Sequence, residues 1–498
     1  MTAIPTADSS ANHNSLEPND WKTFRELGHR MFDDMFDYLE SVRSRPVWQP
    51  VPDSIRRKLH SEIPLSGMTP EAAYEDFLEC VLPYPRGNIH PRYWGWVNGS
   101  GIPLAIIADF LASAMNSSVG AFETSSVMVE EEVIQWFLQA FNWSKEGAGG
   151  VLTSGCSMAH IIALATARSA NVEFDVRQTG LWDCPRLIVY SSSEAHSSVR
   201  RAVELLGMGG DSLRSIPVDG NFQLQLHELK KAVNADRTAG FMPLCVVANA
   251  GTVSTGAIDP LREIAEFCHS EKLWLHVDGA FGGFAWLSPE HRHLLEGMNQ
   301  ADSMALDMHK WLYMPFDVGC LLVKDYRTLE SAFQGSAAYI SKTESGPASY
   351  PISFPNRSIE LSRRFRALKV WLSLKAYGFS AFADAIKENI GQAQYFSELI
   401  KASDYFELCS NSPLNVVCFR YIPQNKNHIN KANYFNRQIL SKLQTQGLAV
   451  PSHTLIGEKF VLRIANTNHR TTLADMDYLY ETTLKIAQAL EREIINDS

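Results

Sequence analysis

The chain has 498 residues, 45% of them apolar and 20% charged, an ordinary globular balance that excludes disorder, collagen or coiled coil as a whole-chain reading. At about 150 residues per folding unit, the length predicts three units, or two after merger. Net charge is 45 − 55 = −10 with no long basic block, which argues against nucleic acid or an anionic membrane as the main partner.

Residues 1–20 are polar, lack a positive-then-apolar signal pattern and read as a disordered tail. Trp21, Phe24, Leu27, Met31, Met35, Leu39 and Val42 then recur every three or four residues, which predicts a helix capped by Asp20 and ended by Pro46, Pro50 and Pro52. A second helix is expected from Thr69-Pro70, cap then first-turn proline, to about Val81. Both helices have wide apolar faces and little sheet nearby. Segment 21–103 is therefore expected to pack against a partner subunit.

The pattern changes near residue 104. Two apolar helices are expected at roughly 104–115 and 125–141. The apolar stretch Ile102 to Met115 contains Asp109 and falls short of the roughly 20 residues of a membrane span. Short β-branched runs follow at Gly150–Thr153, Leu187–Ser191, Leu244–Ala248, Leu273–Val277, Ser303–Leu306 and Gly319–Val323. They alternate with helical segments such as Met158–Ala170, Ser197–Leu206 and Pro260–Cys268, which predicts an α/β domain over 104–378 with a mainly parallel sheet. The Ser/Gly/Pro-rich stretch 334–356 reads as a lid. A helix at about 359–377 leads into a small α+β domain, 379–498, with elements near 380–402, 414–420, 430–446, 459–465 and 472–492. The eight cysteines are scattered without a C-x-x-C pair, so neither a disulfide framework nor a metal site is expected, and a reducing cytoplasm is the natural location.

Four short motifs carry chemistry. In Thr153-Ser154-Gly155-Cys156-Ser157 a strand ends in a glycine turn and a helix opens at once, so backbone N–H groups and the Ser157 hydroxyl face any phosphate there. A plain turn with a serine cap is the simpler alternative. In His276-Val277-Asp278-Gly279-Ala280 an apolar strand terminates in an acid at the sheet edge where α/β proteins bind ligands; the plain alternative is a solvated aspartate. In Asp307-Met308-His309-Lys310-Trp311 an apolar neighbourhood can desolvate Lys310 and make its amine a nucleophile, against the alternative of an exposed lysine. Ala195-His196-Ser197-Ser198 opens a helix after a strand, with a surface histidine as the alternative. Together, phosphate turn, histidine, strand-end acid and lysine ask for a ligand with a phosphate, a basic ring nitrogen and an aldehyde. Pyridoxal 5′-phosphate (PLP) has all three, and a carboxylate at its ring nitrogen keeps the ring an electron sink.

From about residue 21 to the C-terminus the sequence resembles the group II pyridoxal-phosphate-dependent amino acid decarboxylases, aromatic-L-amino-acid decarboxylase-like. The matches are His90-Pro91-Arg92-Tyr93-Trp94-Gly95, Thr153-Ser154-Gly155-Cys156-Ser157, Glu194-Ala195-His196-Ser197-Ser198, His276-Val277-Asp278-Gly279-Ala280, His309-Lys310-Trp311 and Arg363-Arg364-Phe365-Arg366-Ala367-Leu368-Lys369. The resemblance implies an α/β architecture of PLP fold type I with a seven-stranded-type sheet, a homodimer with intertwined N-terminal helices, and conversion of an L-amino acid to its amine and CO₂. Carried over by position, Lys310 would bind the cofactor's aldehyde covalently. Asp278 would pair with the ring nitrogen, with Ala280 packed near the ring. His196 would stack on the other face. Cys156, Ser157 and His309 would hold the phosphate, Thr252 would sit near the phenolic edge, and Tyr339 on the lid would protonate the substrate Cα.

Some relatives carry asparagine where Asp307 stands and use it on the phosphate; an ionised aspartate cannot donate that bond, so Asp307 is left without a role. The positions expected to line the substrate pocket include Asn88, Asn98, Ser118 and Gly120, which are small or polar, beside Trp96 and Phe316. Such a pocket need not prefer an aromatic substrate. Two other activities fit the resemblance: an aldehyde synthase, in whose members the lid tyrosine or the stacking histidine is replaced, and a catalytically inactive binding homologue. Retention of His196 and Tyr339 favours the plain decarboxylase.

Overall fold

The structure, a computed structural model, describes residues 16–182, 184–335, 343–410 and 412–496. Five helices come first: α1 (Trp21–Glu40), α2 (Asp53–Leu59), α3 (Pro70–Cys80), α4 (Pro103–Met115) and α5 (Ser125–Ala140). The Asp20 carboxylate caps α1 by accepting the Lys22 N–H, and the Thr69 hydroxyl caps α3 by accepting the Ala72 N–H. Only Leu27 of α1 is buried, and Trp21, Phe24 and Phe36 remain exposed.

The alternating region follows as β1 (Gly149–Thr153), α6 (Cys156–Asn171), α7 (Val176–Thr179), β2 (Leu187–Ser192), α8 (Ser197–Leu205), β3 (Leu213–Ile216), α9 (Leu226–Thr238), β4 (Met242–Asn249), α10 (Leu261–Glu271), β5 (Trp274–Asp278), β6 (Ser303–Leu306), α11 (Met308–Trp311), β7 (Gly319–Val323) and α12 (Tyr326–Phe333). Its seven strands form one sheet in the order β1-β7-β6-β5-β4-β2-β3. Neighbours from β3 through β6 pair in parallel, while β7 runs antiparallel to both β6 and β1. Residues of β1, β2, β5, β6 and β7 are buried throughout, because helices cover both faces.

This pairing brings strand ends together. Asn249 lies opposite Asp278, Asp278 opposite Ala305, Leu306 opposite Cys320 and Thr153 opposite Gly319. The turns leaving β1, β4, β5 and β6 therefore open along one edge of the sheet, where ligands bind in open α/β folds.

The rest of the chain is α13 (Ala367–Lys401), β8 (Phe406–Leu408), β9 (Val416–Tyr421), α14 (Ala432–Thr445), β10 (Ser452–Ile456), β11 (Lys459–Ala465) and α15 (Leu473–Asn496). The four strands form an antiparallel sheet, β10-β11-β9-β8, with its own core around Phe396, Phe419, Phe435, Leu462 and Leu479. Helix α13 joins the two regions and breaks its helical path at Gly378, where φ is 70°. No helix among the described residues is long and apolar enough to cross a membrane.

Candidate active site

Asp278 ends β5 and is buried. Its Oδ1 accepts the Ala280 N–H at 3.1 Å, and Oδ2 lies 3.6 Å from His160 Nε2. Burial alone would raise its pKa, but the charges of His160 and Lys310 and the Ala280 N–H outweigh burial and hold the carboxyl well below the usual range. The strand end thus presents a fixed, ionised carboxylate suited to a protonated ring nitrogen.

The next strand leads to the lysine. Asp307, directly after β6, is buried, and its backbone N–H donates to the Ala280 carbonyl at 3.0 Å. Its Oδ1 accepts the Cys156 N–H at 2.7 Å and its Oδ2 meets Lys310 Nζ at 2.8 Å. Burial pushes the Lys310 pKa down, yet Asp307, Cys156 and Asp278 together push it up further, leaving the ammonium above its ordinary value. Burial likewise works against the Asp307 carboxylate, but Lys310 first, together with the Cys156 N–H, keeps it ionised. His309 is buried beside this pair, with Nδ1 accepting the Val318 N–H at 3.2 Å and the ring 4.5 Å from that of Phe316. Desolvation pushes its pKa down, so the ring is neutral. The Gly99 N–H donates to the His309 carbonyl at 3.1 Å, and a side-chain carbon at Gly99 would collide with the His309 and Lys310 carbonyl oxygens. Only glycine allows the 95–101 loop to lie against the lysine turn.

Cys156 and Ser157 open α6 above this pair. The Cys156 thiol is buried and protonated, its pKa raised well above normal by desolvation first and by Asp307 second. Ser157 is exposed at the helix N-terminus, where its hydroxyl and the dipole favour an anion, but the Cys156 N–H expected to hold a phosphate is already taken by Asp307, and the Met158 and Ala159 N–H groups donate to the Gly155 carbonyl. His196 is exposed at the N-cap of α8, and its Nδ1 lies 2.6 Å from the Ser198 hydroxyl. Thr252 is buried in the turn after β4, its hydroxyl 3.1 Å from that of Thr255 and accepting the Ala257 N–H at 3.1 Å. Tyr339 lies outside the described residues.

The fold thus gathers Cys156, Ser157, Asp278, Ala280, His309 and Lys310 at one sheet edge, with His196 joined through Ser198 and His160. Two groups carry more of this site than the motifs disclosed. Asp307 links the helix N-terminus to the lysine as an acceptor, a role open to an ionised carboxylate. His160 was marked only by standing one helical turn beyond Cys156. The polarity expected of the substrate pocket is also partly spent within the loop: the Asn88 amide donates to the Gly99 carbonyl at 2.9 Å and that of Asn98 to the Gly95 carbonyl at 3.1 Å. Trp96 and Phe316 are 52% and 49% exposed. Phe316 lies beside the lysine turn, whereas the Trp96 ring carries the Arg86 guanidinium 5.0 Å from its centroid.

The sequence profile of the pyridoxal-dependent decarboxylase conserved domain matches residues 52–422. The chain is 35% identical to an aromatic-L-amino-acid decarboxylase of Bacillus atrophaeus over 455 residues, 91% of this chain and 93% of that one. It is 30% identical to a phenylacetaldehyde synthase of Arabidopsis thaliana over 460 residues, 90% of this chain and 93% of the other. Among solved structures, that of Oryza sativa TDC with PLP and tryptamine superposes with a TM-score of 0.88 at 27% identity, covering 96% of this chain and 100% of that one. The donor set meets the cofactor's demands: an ionised acid for its ring nitrogen, a helix N-terminus with a hydroxyl for its phosphate, and a primary amine for its aldehyde. With that fit and a profile match across most of its length, the chain belongs to the pyridoxal-dependent decarboxylase family, as a carboxy-lyase of fold type I.

Proposed function

We propose that this carboxy-lyase acts on an aromatic L-amino acid, releasing the amine and CO₂, as a homodimer in the cytoplasm. The observation that carries the substrate class is the exposed Phe316 ring, 4.5 Å from that of His309 in the lysine turn, near asparagine amides that are already bonded to backbone. The names of the relatives point the same way.

When bound, pyridoxal 5′-phosphate supplies the electron sink for the pair left at Cα as CO₂ departs. The chain's own residues do the rest. Lys310 would offer its amine to the cofactor's aldehyde, Asp278 would keep the ring nitrogen protonated with the Ala280 methyl alongside, and Ser157, His309 and the dipole of α6 would hold the phosphate, the Cys156 N–H being bound to Asp307. Thr252 lines the phenolic edge. His196 would cover the ring and orient the substrate carboxylate, and Tyr339 would return a proton to Cα. Dimerisation is supported by the exposed apolar groups of α1 and α4, among them Trp21, Phe24, Phe110, Leu111 and Met115, a patch that a monomer rarely leaves in water. Eight unpaired cysteines suit a reducing compartment.

The second reading, an aldehyde synthase, draws on the Arabidopsis relative; the presence of His196 and Tyr339 weighs against it. The test is a CO₂-release screen over the L-amino acids, with 2,4-diaminobutyrate and cysteine sulfinate included, Lys310→Ala as the blank, and peroxide and ammonia measured alongside. The expected result is release from tryptophan, tyrosine or phenylalanine without peroxide. Release confined to small or acidic amino acids overturns the substrate class, and stoichiometric peroxide overturns the amine as product.

A further inference from the structure

Behind Asp278 the structure holds two polar groups, His160 and Ser198, that no step above uses. Ser198 Oγ lies 2.6 Å from His196 Nδ1 on one side and 3.2 Å from His160 Nδ1 on the other, and His160 Nε2 lies 3.6 Å from Asp278 Oδ2. His160 is 1% exposed, on α6, and its Nε2 has no hydrogen-bond partner among the described residues. Four side chains from α8, α6 and β5 thus run from the exposed N-cap of α8 to the buried acid at the sheet edge.

The donors and acceptors along this line can be assigned in sequence. The Ser198 backbone N–H already donates to His196 Nδ1 at 3.2 Å, so that nitrogen is an acceptor and carries no proton. Ser198 has one hydroxyl proton, and the shorter of its two contacts, the one to His196, takes it. The longer contact must then be filled from the other side, by a proton on His160 Nδ1. With Nδ1 protonated, a neutral His160 would turn the bare lone pair of Nε2 toward the Asp278 carboxylate in a buried site, where an unpaired acceptor facing an anion is costly. A second proton on Nε2 removes that conflict and turns the contact into an ion pair.

We propose that His160 is a positioning residue for Asp278, a doubly protonated imidazole that pins the free oxygen of the carboxylate and ties it through Ser198 to His196. The inference rests on the reading of Asp278 as the partner of the cofactor's ring nitrogen. Oδ1 accepts the Ala280 N–H and Oδ2 faces His160 Nε2 at 3.6 Å, so an ion pair there sets the carboxylate plane before the cofactor arrives. The groups that face His160 are Asp278 and His276 from β5, Cys156 from its own helix, and His196 by way of Ser198 from α8. His276 sits edge-on to His160 with ring centroids 5.2 Å apart. Burial first, and His160 second, push the His276 pKa down to about 3, so the His276 ring is neutral.

The test uses the holoenzyme labelled with ¹⁵N-histidine. Near neutral pH both ring nitrogens of His160, assigned by their loss in His160→Gln, are expected to be protonated, while His196 is protonated on Nε2 alone. Cofactor affinity gives the second readout. His160→Gln keeps an N–H donor toward Asp278 and is expected to bind the cofactor within about threefold of wild type, whereas His160→Leu removes the donor and weakens binding by about tenfold or more, as for loss of a hydrogen bond to a charged group. In Ser198→Ala the proton on His160 Nδ1 loses its acceptor, and the His160 signals are expected to shift while those of His276 stay in place. A His160 found neutral with Nε2 bare, or a His160→Leu enzyme that takes up cofactor as tightly as wild type, overturns the proposal. Neither readout depends on which amino acid is decarboxylated, so a failed substrate screen and a failed His160 assignment are separate results.

Discussion

Lys310 and Asp307 sit 2.8 Å apart in a buried setting, and that distance sets how the lysine meets an aldehyde. An ammonium cannot attack a carbonyl, so the proton held by this ion pair must leave first. Burial acts to lower the Lys310 pKa, and the Asp307 charge is the largest of the opposing influences. In Asp307→Asn desolvation acts with less opposition, so the Lys310 pKa falls and the free amine is present at lower pH. The expected outcome is that the pH midpoint for cofactor uptake by the apoenzyme, followed by absorbance, moves downward relative to wild type. An unmoved or raised midpoint would show that Asp307 does not govern the lysine. At this scale the sequence discloses residues whose role follows from local position: Asp278 stands at the end of an apolar strand, and Lys310 follows a short one. It singles out Asp307 but not its role, because the Cys156 N–H that it binds is 151 residues away and meets it only after β1, β7 and β6 have paired.

Elements show the same division between local pattern and closure of the fold. Strands β1, β2, β4, β5, β6 and β7 announce themselves as apolar runs because both faces are covered, but a run buried on both sides carries no direction, so the antiparallel course of β7 is invisible until its partners are known. Strand β3, Leu213-Arg214-Ser215-Ile216, is an edge strand with only Ile216 buried, and lacks the apolar run that marks the others. The segments near 359–377 and 380–402 read as two helices, and the structure has two helical stretches that meet at a kink at Gly378, whose left-handed φ of 70° turns the path without a separating loop; the first begins later than expected, at Ala367. The opposite edge of the sheet is closed by side chains. Glu130 on α5 and Arg363 before α13 form a fully buried ion pair; Glu130 Oε1 accepts the Leu152 N–H at 3.0 Å, and Arg363 Nη2 donates to the Leu152 carbonyl at 2.7 Å. The outer face of β1 is thereby sealed against water and against another strand. Arg363→Met leaves Glu130 charged and unpaired in the core and is expected to cost about 3–5 kcal/mol of stability. Urea denaturation followed by circular dichroism measures this, and a loss below about 1 kcal/mol would mean that the pair does not secure the edge. Because β1 delivers the chain to the N-terminus of α6, the same variant is expected to bind cofactor more weakly.

Across the whole molecule, charge is distributed so that the fold depends on pH in a definite sense. Burial pushes the pKa of His90 down to about 4 and those of His276 and His469 down to about 3. A histidine whose folded pKa lies below its unfolded value of about 6.5 stabilises the native state above that value, and the contribution is lost as pH falls toward the folded pKa. Asp259 works in the other direction: burial raises its carboxyl to about 6, so its contribution is present at low pH and lost as pH rises through that value. At about pH 5 the three histidines are charged in the unfolded chain and neutral in the folded one, while Asp259 is protonated only in the folded one. The unfolded state therefore binds about two more protons than the native state. Stability must rise with pH across this window, and the depressed carboxyls of Asp278, Asp307 and Asp475 add the same sign further down. The expected outcome is a thermal midpoint that falls steadily as the holoenzyme is taken from about pH 7 to about pH 5, and that falls less in His90→Gln, where one of the three titrations is gone. A midpoint that is level or climbs on acidification would mean that the buried imidazoles are already protonated at neutral pH, and that their polar surroundings, rather than their burial, decide where each proton resides.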